Sequence, residues 1–252
     1  MKISIITATY NRIETLPRAL LSVQAQDYTN KELVVVDGGS IDGSVHKIRT
    51  IISEGDLLVS ERDDGVFDAL NKGIKLSSGE IIGIMHSDDF YADDTVLTQV
   101  CKIFEDQSVD LVYGDVSFFN ADEPGKTTRV VQTKEFSCKR LSKGFMPAHT
   151  ATFFRRSIHD KFGLYKSDYK VAGDYDFMCR LATSKNVKSA YLPRTIVRMQ
   201  QGGLSTRGIR SVILNTREVL RACRENGIKT NVFILLAKYP FKVMELFKGV
   251  RG

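Results

Sequence analysis

Apolar residues run along the first half of the chain in two alternating rhythms. Ile3 to Thr9, Glu32 to Val36, Leu57 to Ser60 and the run from Ile81 are short and nearly continuous, as expected of strands buried on both faces of a parallel sheet. Between them the spacing becomes helical. Leu16, Ala19, Leu20 and Val23 recur within Glu14 to Gln26, with Pro17 in the first turn, where its missing donor costs nothing. A second helix is expected over Ser44 to Ser53. In Val66 to Leu76, Phe67, Leu70 and Ile74 share one face, with Asp68, Asn71 and Lys72 near the other. Thr95 to Phe104 reads as a further amphipathic helix and Asp110 to Val116 as a further strand. Strand, helix and strand in so few residues make parallel crossover units, so the fold class is α/β. The rhythm then changes: Phe118 to Lys134 alternates and is rich in turn residues, which predicts a small antiparallel hairpin beside the sheet. Helices follow around Arg156 to Lys161 and from Gly173-Asp174-Tyr175-Asp176, with Phe177 and Leu181 inward.

Every early strand stops at a polar cluster, and in open α/β sheets ligands sit outside those carboxyl ends. The sharpest case is Ile81 to Tyr91, where an apolar run ends in Ser87-Asp88-Asp89. Adjacent carboxylates repel unless a cation lies between them, and oxygen ligation suits a hard divalent ion shared with substrate phosphates. The same pair could instead cap the helix that follows Ala92-Asp93-Asp94-Thr95. Asp37, at the end of the second strand, could accept hydrogen bonds from a ribose or base, while Gly38 and Gly39 suit a close ligand approach or simply a turn. Taken singly, His149 reads as a satisfied structural histidine before a ligand, and Asp174 as a helix cap before a base.

With 252 residues, 42% hydrophobic and 26% charged, the chain can bury a full core, and disorder is not expected. No apolar run is long enough to span a bilayer and no signal-peptide pattern follows Met1-Lys2, so a cytoplasmic location is expected. Cys101, Cys138, Cys179 and Cys223 are too scattered for a zinc site or disulfide framework and read as buried free thiols. A net charge of +6 predicts an anionic partner. Carboxylates gather in the first half and Lys and Arg after Ser184, which separates an acidic, metal-binding region from a basic surface. No Gly-x-Gly-x-x-Gly follows the first strand and no Gly-Lys-Ser/Thr loop occurs, against a dinucleotide fold or a P-loop enzyme.

In this order the motifs resemble glycosyltransferase family 2, inverting enzymes of the GT-A fold that use nucleotide-diphosphate sugars. Ile5-Ile6-Thr7-Ala8-Thr9-Tyr10-Asn11 looks like the opening strand and base-binding loop. Val34-Val35-Val36-Asp37-Gly38-Gly39-Ser40-Ile41-Asp42-Gly43 looks like the second motif, and Ser60 to Gly73 is similar to a form found in bacterial exopolysaccharide, O-antigen and colanic-acid-type transferases. The resemblance implies a Rossmann-like, mostly parallel sheet flanked by helices over 1–210; the helical extension expected over 211–252 lies outside it. It implies nucleotide-sugar contacts from Thr9, Tyr10, Asn11, Asp37, Asp63, Asn71, Lys72, Ser87 and Asp88. Ser87-Asp88-Asp89 stands where the family has Asp-x-Asp, so Asp89 would hold Mg2+ or Mn2+ and Asp88 or Ser87 the ribose; Ser87 replaces the first acid of the strict motif. Gly173-Asp174 stands where many members have Glu-Asp, which makes Asp174 the matching catalytic base. His149 matches a histidine on the acceptor or phosphate side, and Ser205 lies in Gly202-Gly203-Leu204-Ser205-Thr206, which resembles a donor-side loop. Without Gln-x-x-Arg-Trp, or any Trp, processive synthases fit poorly.

The expected activity is therefore transfer of one sugar from a UDP-type donor to a lipid-linked or oligosaccharide acceptor in surface polysaccharide assembly, with no nucleic-acid partner. A sugar-phosphate nucleotidyltransferase would share the sheet and carboxylates but normally carries a Gly-rich loop with a basic residue after the first strand, which Tyr10-Asn11-Arg12 is not. A non-catalytic nucleotide-sugar or glycan-binding module is the other alternative. Beyond the resemblance, Phe233, Leu236, Pro240, Val243, Phe247 and Val250 form one helical stripe, with Lys238, Lys242 and Glu245 opposite and a break expected at Pro240. Such a stripe suits either the headgroup layer at the inner face of a plasma membrane or packing against the catalytic domain or a second subunit.

Overall fold

The structure, a computed structural model, describes residues 1–202 and 208–237. Its strands are β1 (Ile3–Thr9), β2 (Lys31–Asp37), β3 (Leu57–Ser60), β4 (Ile81–Ile84), β5 (Phe90–Tyr91), β6 (Leu111–Asn120), β7 (Glu123–Val131), β8 (Thr152–Arg155) and β9 (Ser189–Gln200). They join in one sheet of order β3-β2-β1-β4-β8-β6-β9-β5, with β7 paired to β6. β1 to β4, β6 and β9 run one way, and β5, β7 and β8 run against them. The helices are α1 (Leu16–Gln24), α2 (Ser44–Arg49), α3 (Val66–Leu76), α4 (Val96–Phe104), α5 (Cys138–Leu141), α6 (Arg156–Phe162), α7 (Gly173–Ala182), α8 (Gly208–Glu225) and α9 (Val232–Leu236).

The strands lack a polar face because both faces are covered. In β1, Ile3 and Ile5 pack with α1, α2 and α4 on one side of the sheet, while Ile6 packs with α3, α6, α7 and α8 on the other. β2 repeats this alternation, with Leu33 and Val35 on the first side and Val34 on the second. Thr9, Asp37 and Ser60 stand side by side in register, so three polar loops leave the sheet along one edge.

The second helix stops at Arg49, short of the expected Ser53, and its remaining apolar residues, Ile51 and Ile52, pack as a turn. The expected hairpin is β6–β7, but antiparallel pairing extends further, because β8 lies between β4 and β6. β9 arises in the basic stretch after Ser184; most of its residues are only half-buried, so no apolar run announces it. The expected division at 210 falls inside α8, whose Val219, Ala222 and Cys223 share a core with Phe177 and Leu181 of α7. All four cysteines are free, and three are buried. Among the described residues no helix is long and apolar enough to cross a membrane. Ser205, and Pro240, Val243, Phe247 and Val250 of the C-terminal stripe, lie outside the described residues.

Candidate active site

The loops at the β1 and β2 ends are fastened to each other. The backbone N–H of Asn11 donates to Ser40 Oγ (2.7 Å), and Asn11 Oδ1 accepts from Ile41 N (3.0 Å). Asn11 adopts a left-handed φ of 50°, a conformation its short polar side chain tolerates better than most. Asp37 is wholly buried. Its Oδ2 accepts from Gly39 N, Ser40 N and Ser60 Oγ at 3.1, 2.9 and 2.7 Å, and its Oδ1 from Ser40 Oγ at 2.5 Å. A carboxylate has about four acceptor sites, and these four bonds, three of them on Oδ2, tie Asp37 into the loop that leaves β2. Tyr10 is 59% exposed, and Asp63 is half-buried, its Oδ1 accepting from Gly65 N (2.9 Å). They flank Gly38, where an added Cβ would lie 2.6 Å from Asp63 Oδ2 and 3.4 Å from the Tyr10 ring. Any side chain there would push the Asp63 carboxylate aside.

Asn71 and Lys72 also have structural duties. Asn71 Nδ2 donates to the Tyr165 carbonyl (2.8 Å) and its Oδ1 accepts from Tyr165 N (3.0 Å), while Lys72 pairs with Glu61 (2.9 Å) and Asp68 (3.3 Å). Thr9 is buried, and its hydroxyl has no hydrogen-bond partner.

β4 ends in a tight turn, closed by Asp89 N donating to the His86 carbonyl (3.2 Å), and the turn gathers ligating atoms of His86, Asp88 and Asp89 within 4.8 Å of one another. Asp89 is buried. Gln200 N of β9 donates to its Oδ1 (3.2 Å), while its Oδ2 has no hydrogen-bond partner. Burial, and next the neighbouring Asp88 charge, push the Asp89 carboxyl well above the usual carboxylate range. Neither acid of the pair caps α4. Its N-cap, Thr95, makes no side-chain cap bond, and the first-turn amide of Leu97 donates instead to Gln26 Oε1 (3.0 Å). Arg18 supplies the nearby positive charge: it donates to Gln200 Oε1 (3.1 Å) and lies over the rings of Phe90 and Phe119. An open buried carboxylate oxygen grouped with a second acid and an imidazole fits a divalent cation, with His86, Asp88 and Asp89 as its holders. Ser87, between them, is buried.

From His86 the contacts continue inward. Its ring meets the edge of His149 at 5.6 Å, and His149 Nε2 is 2.7 Å from the Tyr165 hydroxyl. Burial holds the His149 imidazole well below its ordinary proton affinity, so it is neutral near pH 7. Tyr165 also feels the charge of Asp174, the second residue of α7. Burial pushes the Asp174 carboxyl up to about 6; a hydrogen bond from Tyr175 N (2.8 Å) opposes this, and the Glu218 charge adds to it. The residue before it is glycine for a packing reason: a Cβ on Gly173 would lie 2.8 Å from the Phe67 ring. Sequence reasoning missed His86, although it stands three places before Asp89, and Tyr165, which no motif marks.

Comparison with known proteins agrees with this geometry. The family model described as glycosyl transferase family 2 matches residues 4–163. A PGL/p-HBAD biosynthesis glycosyltransferase of Mycobacterium bovis (strain BCG / Pasteur 1173P2) is 33% identical over 208 residues, covering 80% of this chain and 78% of that protein. S. aureus TarS 1-349 in complex with UDP superposes with a TM-score of 0.67 at 19% identity, over 93% of this chain and 70% of that one; this chain spans 39% of the longer TarS chain. The Pyrobaculum calidifontis mannosyltransferase PcManGT, in complex with GDP-Man and Mn2+, gives a TM-score of 0.65 at 19% identity, over 98% and 73% of the two chains. The shared architecture is the GT-A fold, and the chain belongs to glycosyl transferase family 2.

Proposed function

We propose that this enzyme inverts the anomeric centre of a nucleotide-diphosphate sugar, UDP-linked, while transferring the sugar to a hydroxyl of a lipid-linked or oligosaccharide acceptor in surface glycan assembly. The observation that carries the reading is the open, buried Oδ2 of Asp89, grouped with His86 and Asp88 at the sheet edge where the Tyr10–Gly38–Asp63 cradle also lies. Tyr10 provides an exposed ring for a base to stack on, and the Asp63 carboxylate an acceptor for a base N–H. A divalent cation held by His86, Asp88 and Asp89 would neutralise charge on the leaving diphosphate. The imidazole favours Mn2+ over Mg2+, which prefers oxygen ligands alone. Asp174 takes the proton of the acceptor hydroxyl, and an affinity near 6 leaves it mostly ionised at pH 7 yet basic enough to act.

By the family resemblance, His149 and Ser205 would serve the acceptor or phosphate side. α9 buries Leu235 but exposes Val232, Ile234 and Leu236, and leaves Phe233 84% exposed. This apolar face supports contact with the headgroup layer at the inner face of the plasma membrane, where a lipid-linked acceptor would lie. Pelleting with anionic vesicles checks this: replacing Phe233 with Ser should reduce binding, and equal pelleting would count against it.

The function is tested by nucleoside diphosphate release from UDP-, dTDP- and GDP-sugars, with and without Mg2+ or Mn2+. UDP-sugar turnover is expected. Calorimetric titration of Mn2+ and UDP into the Asp89→Asn and His86→Ala proteins gives a readout independent of turnover. Both should weaken Mn2+ binding in the presence of UDP, and unchanged binding would reject the metal assignment.

A further inference from the structure

α7 begins with no side-chain cap, because its N-cap residue is Ala172. The backbone amides just before it converge instead on one carboxylate from another helix. Lys170 N donates to Glu218 Oε1, and Val171 N and Ala172 N donate to Glu218 Oε2, each at 2.9 Å and across 46 to 48 residues of sequence. Charged acceptors make the stronger hydrogen bonds, and three on one side chain fix a loop that has no regular structure of its own. Neighbouring ties follow the same path. Arg221 of α8 pairs with Asp168, and Lys166 bridges Glu225 of α8 (2.7 Å) and Asp176 of α7 (3.0 Å). Glu218 and α8 both lie beyond the residues matched by the family model.

We propose that Glu218 is a positioning residue for the transfer reaction: by gathering the amides of Lys170, Val171 and Ala172 it holds the start of α7, and with it the Asp174 carboxyl, in place for the acceptor hydroxyl. The proposal rests on the reading of Asp174 as the base. The same negative charge also makes Asp174 a stronger base, adding to the effect of burial. The groups that face Asp174 are Glu218 from α8 and the Tyr165 phenol from the segment between α6 and α7, and the phenol is neutral over the working range. Glu218→Gln removes the charge and puts an amide that cannot accept a hydrogen bond on one arm of the fork.

The test titrates the Asp174 carboxyl by carbon NMR in the full chain, with Asp174→Asn identifying its signal, and follows hydrogen exchange at the amides of Lys170, Val171 and Ala172. In Glu218→Gln the midpoint should fall below its wild-type value near 6. Amide exchange should rise at least about tenfold, and kcat for UDP-sugar turnover should drop at least about tenfold with donor KM within about twofold. A midpoint and exchange rates equal to wild type would overturn the proposal. Should Glu218→Gln not melt cooperatively, Glu218→Asp decides. Its charge remains but its reach is shorter, so exchange should quicken while the midpoint stays high, and unchanged exchange overturns the proposal. Turnover retained in Asp174→Asn would instead refute the base assignment and leave the tether result standing.

Discussion

The two ends of the site are held in different ways. The proposed donor end is built where β1, β2 and β3 finish side by side, and hydrogen bonds from Asn11 N to Ser40 Oγ, from Ile41 N to Asn11 Oδ1 and from Ser40 N to Asp37 hold its loops together. The base end depends on partners far apart in sequence: Asn71 on Tyr165, Phe67 against Gly173, and Glu218 under the loop before α7. A site organised by adjacent strand ends is fixed once the sheet forms. One organised by distant side chains can be displaced while the sheet stays intact. Loss of a base-end contact should therefore lower kcat, and loss of a donor-end contact should raise donor KM.

The largest expected break is Asp174→Asn. It should lower kcat by roughly two to four powers of ten, the usual worth of a general base, while leaving UDP affinity, read by calorimetry, unchanged. Next comes a difference in acid stability, centred on His159. Its ring is stacked on Phe177 at 4.8 Å, and neither nitrogen has a hydrogen-bond partner. Burial first, then Arg156 and Arg180, push it down to about 3. The unfolded chain takes up a proton below about pH 6.5 while the folded one does not, so stability falls as pH drops from there toward 3, by up to about 1.4 kcal/mol per pH unit. His159→Phe should remove this share of the slope in urea melts at pH 4 to 7. Hydrogen exchange should place the acid loosening in α6, α7 and α8 and spare β1 to β3.

Turnover gives a third comparison. With Asp174 as the proposed base and burial raising its affinity to about 6, log kcat should rise with unit slope below that pH and level above it. A limb near 4 would show that the base is solvated during turnover. The smallest effect is expected at the donor end. Gly38→Ala forces the Asp63 carboxylate aside, so donor KM should rise about tenfold, the equivalent of roughly 1.4 kcal/mol, with kcat nearly unchanged. Equal losses in kcat and in donor affinity would erase the distinction between the two ends.

Apolar rhythm alone determined the parallel half of this protein, because strands buried on both faces and helices buried on one must carry period and continuity in their residues. It was enough to locate β1 to β4, α3 and the acid pair at the β4 end. Order of motifs added the family. Tertiary structure decided the rest. β8 and β9 leave little trace in the pattern, since β8 is four residues long and most of β9 is only half-buried. The bonds of Asp37, Asn71 and Lys72 to their neighbours could not be read from their places in motifs, because the partners available at a sheet edge are set by how the loops around it fold. His86, Tyr165 and Glu218 join the site through folding alone: a turn, a phenol hydrogen-bonded to a buried imidazole and a carboxylate reaching three distant amides are contacts of the folded chain, invisible until it closes.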